Sequence, residues 1–250
     1  MRIHHRRYLA VALVVALAGC APSPGTADEA ASPPTGISEP SPTPTVRDII
    51  EVEDFAILEP GAYSIDPDSD PSTPLRVVYE VPFDGWYKWI GAAKSAGDGH
   101  VGVGITTVTN LVSHGCRDHE RADPPVGPTV DDLATALSDL APFEVTSPPR
   151  DVSIYGYRGK HLQWRVPDMP VEESADDLDF VRCTRGNLKS WISPAWGPYY
   201  GYTGPGYTEE FWILDAEGTR LMIVAKRSAD SSPEDLAELR AVLDSIRIEP

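Results

Sequence analysis

The chain has 250 residues, 21 basic and 38 acidic, for a formal net charge of −17 at neutral pH. So acidic a surface argues against nucleic acid as a partner and against docking on anionic lipid head groups, because both need basic patches. The acids are scattered, which first of all keeps the chain soluble.

Arg2, Arg6 and Arg7 form a basic start, and Tyr8 to Leu17 is an unbroken apolar run. The run is shorter than the roughly 20 residues a transmembrane helix needs. Together they describe a secretory signal peptide over residues 1–19. Its end, Leu17-Ala18-Gly19-Cys20, resembles the lipobox of bacterial lipoproteins. That resemblance implies cleavage before Cys20, a diacylglycerol on its sulfur, and a lipid anchor on the extracytoplasmic face of the cell membrane. Two acyl chains hold a protein there, whereas one binds only marginally.

Ala21 to Thr45 is rich in Pro, Ser, Thr and Ala, with almost no large apolar residue. It cannot bury enough surface to fold, so residues 20–45 read as a lipidated cysteine followed by a disordered tether. Removing Cys20 from the three cysteines leaves Cys116 and Cys183. An even remainder outside the membrane predicts one disulfide between them.

Residues 46–250 are long enough for a single domain. Val46 to Leu58 carries mixed signals and reads as a lead-in. Strand-like runs follow at Gly61 to Ile65, Leu75 to Val81, Gly85 to Ala93 and Val101 to Val108. They are β-branched or aromatic, and the last is glycine-rich. A helix is predicted over Val130 to Leu140, with Thr129 as N-cap and Leu133, Leu137 and Leu140 on one face. Val152 to Tyr157 and Lys160 to Val166 read as a hairpin turning at Arg158-Gly159. Met169 to Asp179 is acidic and loop-like. Phe211 to Leu214 and Arg220 to Ala225 flank a second hairpin turn, Asp215 to Thr219. The final helix starts at Ser232 as N-cap with Pro233 at its first position. Leu236, Leu239, Leu243 and Ile246 give its apolar face, and Arg247 to Pro250 ends as a short strand.

Strands in hairpins with two amphipathic helices imply an α+β domain, an antiparallel sheet with helices packed on it. The stretch FWILDAEGTRLMIVA followed by SPEDLAELRAVLDSI is similar to the hairpin-then-helix end of PsbP-like bacterial lipoprotein domains, including the LpqN type. The resemblance spans Tyr207 to Glu249. It implies a helix–sheet–helix sandwich without a cofactor or a known catalytic set.

Chemistry-bearing patterns are few. Gly97-Asp98-Gly99-His100-Val101-Gly102 spells a dinucleotide fingerprint, but a β-rich run follows where a helix should open, so a glycine turn is the reading. Asp66, Asp68 and Asp70 alternate as in a calcium loop. Pro71 and Val77 stand where such a loop needs Gly and Glu, so an acidic turn is favoured. His114, Cys116, His119 and Glu120 contain zinc-type ligands, but Cys116 is wanted for the disulfide. No serine, cysteine or metal-hydrolase motif is present.

Trp191 to Tyr207 stands out, with two Trp, four Tyr and no charge. Trp191, Trp196, Tyr199, Tyr200, Tyr202 and Tyr207 read either as a stacking platform for sugars or apolar ligands, or as a lid completing the core. The expectation is therefore a non-catalytic envelope lipoprotein with a binding or adaptor role, without cofactor or metal. Its partner would be an envelope protein, a glycan or a small molecule. The alternatives are a solute- or glycan-binding module using residues 191–207 and a cell-wall enzyme with an unrecognised site.

Overall fold

The computed structural model describes residues 45–97, 99–117, 119–173, 178–195, 197 and 199–250. The leader, Cys20, the tether up to residue 44 and Trp196 lie outside the described residues. The fold is α+β. Its main sheet has seven strands, all antiparallel: β3 (Trp86–Lys88), β4 (Gly91–Ala96), β5 (Gly99–Thr107), β6 (Glu144–Ile154), β7 (Tyr157–Arg165), β8 (Thr208–Ala216) and β9 (Thr219–Arg227). The spatial order is β3-β4-β5-β9-β8-β7-β6. A smaller sheet contains β1 (Gly61–Ile65), β2 (Arg76–Val81) and β10 (Arg247–Glu249), with Arg47–Asp48 added in parallel at the β1 edge. Among the described residues, two α-helices form, α1 (Val130–Asp139) and α2 (Pro233–Asp244).

Strand alternation sends side chains to two cores. From β8, Phe211 and Ile213 point to the side covered by α1, and Leu214 and Ala216 to the side covered by α2 and the smaller sheet. Each fully buried aliphatic or aromatic side chain contributes about 1.5–3 kcal/mol. Both helices begin with reciprocal capping boxes, Thr129 with Asp132 and Ser232 with Asp235, which satisfy two otherwise orphan backbone donors each. The α1 face buries Leu133, Ala134 and Leu137. In α2, Leu239 and Val242 are buried, but so are Asp235 and Glu238. Lys94 Nζ holds both carboxylates, at 3.2 and 2.8 Å, and Trp86 Nε1 donates to Glu238 at 2.9 Å. The contact face of α2 is thus part ionic.

Several local expectations are corrected. The β6–β7 turn is Tyr155-Gly156, with φ of 55° and 87°, and Arg158-Gly159 lies within β7. Two consecutive positive φ values suit a two-residue hairpin turn, and the Tyr155 hydroxyl fixes it by donating to Leu243 O at 3.0 Å. Gly159 has a different reason to be glycine: a Cβ there would sit 2.0 Å from Ile213 O on the neighbouring strand. The β6 strand also starts earlier than its sequence suggests. Pro148 and Pro149 are accommodated because β6 is an edge strand with register shifts around them. Within Met169 to Asp179, read as loop, Val171–Glu173 pairs with Leu178–Phe180. Gly85 to Ala93 is two strands, broken at Trp89-Ile90.

Candidate functional site

The β8 residue in phase with Phe211 and Ile213 is Glu209, and it is completely buried. Directly across the ladders it faces Lys226 on β9 and Trp164 on β7. Its carboxylate accepts from Trp164 Nε1 at 2.8 Å, from the Tyr202 hydroxyl at 2.8 Å and from the Tyr200 hydroxyl at 3.1 Å. Burial pushes the Glu209 pKa up, against the opposing pull of Lys226 and these three donors. Lys226 is buried as well. Its ammonium lies 4.1 Å from the Tyr207 ring centre and 5.8–5.9 Å from those of Trp89, Tyr200 and Tyr202. Aromatic faces attract cations and so replace part of the lost water.

This arrangement accounts for much of the charge-free aromatic stretch. Trp191 stacks on Tyr200 at 4.3 Å with planes 6° apart, and Tyr200 meets Tyr202 edge-on at 5.0 Å. Trp191, Tyr200 and Tyr202 belong to the core, whereas Tyr199 and Tyr207 are part-exposed at its margin. Trp196 lies outside the described residues. Of these rings, which the sequence offers either as a stacking platform or as a core-completing lid, the five described ones do not share an exposed face. Tyr200 and Tyr202 are committed to the buried Glu–Lys pair as donors and π-faces, and Trp191 is committed to stacking on Tyr200.

One Ser–His pair lies nearby. Ser95 Oγ is 3.2 Å from His100 Nδ1. Burial, together with the Lys226 charge, lowers the His100 pKa to about 4. An imidazole that weakly basic is neutral at pH 7 and poorly suited to take a proton from serine.

On the margin of the same region is a cleft of about 560 Å3. Its walls include Ile50 and Phe55 from the lead-in, Ile65 from β1, Trp89 and Ile90 from the β3–β4 break, and Ala195 from the aromatic stretch. Trp89 joins the two features, since its ring centre is 5.8 Å from that of Tyr200. Ile50 and Phe55 are 74% and 65% exposed. Phe55 holds φ at 62°, a region bulky residues seldom occupy, and its N–H donates to Lys88 O. Such strain costs roughly 1–3 kcal/mol and concentrates at functional positions. Charged groups rim the cleft: Lys88 pairs with Asp54 at 3.1 Å, Arg76 with Asp66 at 3.5 Å, and Asp48 caps the short helix Ile49–Glu51. A second, more polar groove of about 870 Å3 runs beside α1, with Lys160 bridging Asp131 and Asp151.

Cys116 and Cys183 are joined in a disulfide, with Cα atoms 4.5 Å apart. It ties the segment after Asn110–Leu111 to the one leading into the aromatic stretch. His114 Nδ1 accepts from Cys116 N, and His119 Nε2 faces Asn187 O at 2.9 Å. Asp66, Asp68 and Asp70 form successive side-chain-to-backbone turns, each accepting from the N–H two residues on. Sequence reasoning missed Glu209, Lys226, Phe55 and Trp89. For the first two a signal existed: each continues an alternating buried set, Phe211 and Ile213 in one strand, Met222 and Val224 in the other.

No protein-family profile matches the chain, and no curated protein does. Among solved structures, it is similar to LpqN of Mycobacterium tuberculosis, described as involved in cell envelope biogenesis. The identity is 9% and the TM-score 0.30, over 81% of this chain and 95% of LpqN.

Proposed function

We propose that this is an envelope lipoprotein, anchored through Cys20, that binds a small apolar ligand in the Phe55–Trp89 cleft without transforming it. The observation that carries the reading is Phe55: a large aromatic side chain, mostly exposed, held at positive φ on the wall of a concave, largely apolar cleft. Ligand sites are typically concave and apolar with a few polar groups at the edge. The buried Glu209–Lys226 pair serves as scaffold behind Trp89, and the weak basicity of His100 supports a binding rather than a hydrolytic role. On this reading Phe55 and Trp89, rather than residues 191–207, contact the ligand.

The test is a fluorescence titration with the neutral probe N-phenyl-1-naphthylamine. Wild type should bind saturably, and Phe55→Ala should weaken binding up to about tenfold, the worth of one aromatic contact. Because Phe55 is exposed, its melting midpoint should barely change. Absence of saturable binding to wild type would sink the reading.

A further inference from the structure

The charge around the cleft narrows the ligand class. Resting on the binding role of that cleft, we propose that its ligand is a cationic amphiphile, an apolar body carrying an amine or quaternary ammonium head. Both cations among the described lining residues are already engaged. Lys88 is held by Asp54 and by Val52 O at 2.6 Å. Arg76 is held by Asp66 and donates to Thr73 O and Leu75 O at 2.9 and 2.7 Å. Lys226, behind Trp89, is opposed by Glu209. The surplus charge is Asp48, exposed at the cleft and accepting only from Ile50 N among the described residues. An anionic head would therefore meet carboxylates without a spare cation, in a chain of net charge −17. A cationic head would find Asp48 in a cleft also lined by Phe55 and Trp89, aromatic side chains of the kind that attract cations. The apolar walls take the body of the ligand.

The experiment is displacement of N-phenyl-1-naphthylamine by three ligands with one ten-carbon chain: decyltrimethylammonium, decanol and decanoate, all below micellar concentration. Decyltrimethylammonium should displace the probe at a concentration at least tenfold lower than decanoate, with decanol between them. Asp48→Asn, which keeps the helix cap, should shrink that ratio several-fold, as should added salt. Decanoate displacing as well as the cation would overturn the charge inference and leave the cleft reading intact. An unchanged ratio in Asp48→Asn would overturn the assignment of the charge to this site. Failure of the probe itself to bind would instead overturn the cleft reading on which the inference rests.

Discussion

Glu209 and Lys226 face each other across β8 and β9, both buried, inside a shell of Trp and Tyr rings. Removing one partner strands the other charge. Lys226→Met should therefore destabilise the domain by about 3–5 kcal/mol, whereas Glu209→Gln combined with Lys226→Met should cost less than Lys226→Met alone. The glutamine keeps one carbonyl oxygen for Trp164 and the Tyr202 hydroxyl, and its amide N–H then donates to the Tyr200 hydroxyl, which accepts it. Urea unfolding of the single and double variants measures the coupling, and simple additivity would contradict it.

His100 gives the acid limb of stability a definite sign. Its folded pKa, about 4, lies below the ordinary 6.5 because of burial and Lys226. The unfolded chain thus binds more protons between those values, and stability falls as pH drops from 6.5 to 4, by up to about 3 kcal/mol. Glu209 acts oppositely: its raised pKa removes stability as pH rises from 4.5 through the folded value. In His100→Asn the loss between pH 6.5 and 4 should flatten. A curve parallel to wild type in thermal melts across that range would contradict the assignment.

Two glycines of the β6–β7 hairpin should respond differently to alanine. At Gly156 there is open space but φ is 87°, so the cost is backbone strain of about 1 kcal/mol. At Gly159 a Cβ would lie 2.0 Å from Ile213 O, and the β7–β8 ladder must give way. Gly159→Ala should cost more than Gly156→Ala, about 1–3 kcal/mol or above. Equal melting midpoints for the two would refute the close-approach argument.

The Cys116–Cys183 disulfide closes a separation of 67 residues. In the chain-entropy description, a loop of that length is worth about 4 kcal/mol. Melting in the presence of a reductant should show a drop of that order. Cys116→Ser/Cys183→Ser should match the reduced wild type. No change on reduction would mean that the bond is absent from the protein in solution.

The sequence reveals those features whose signals are local. The helices at Val130 and Pro233 could be read because capping and apolar spacing are written within a few residues. The α+β class followed from the hairpins. The Tyr155-Gly156 turn was misplaced because Arg158-Gly159 has the better local chemistry, and the Gly159 constraint comes from Ile213, far away in sequence. The aromatic stretch was visible, but its purpose was not: the charge it encloses comes from two residues brought opposite each other only by the β8–β9 register. Phe55 lies in a segment with no clear periodicity, and only the folded chain places it and Trp89 on the walls of one cleft.

On the proposed reading a ligand occupies the cleft lined by Phe55 and Trp89. The most direct measurement is a 1H–15N correlation spectrum recorded while N-phenyl-1-naphthylamine is titrated into the domain. Progressive shifts of the Trp89 indole N–H and of the Ile50 and Phe55 amides, with resonances beside Lys160 and Asp151 in the other groove unmoved, are the expected result. Shifts confined to that second groove, or none at saturating probe, would contradict it.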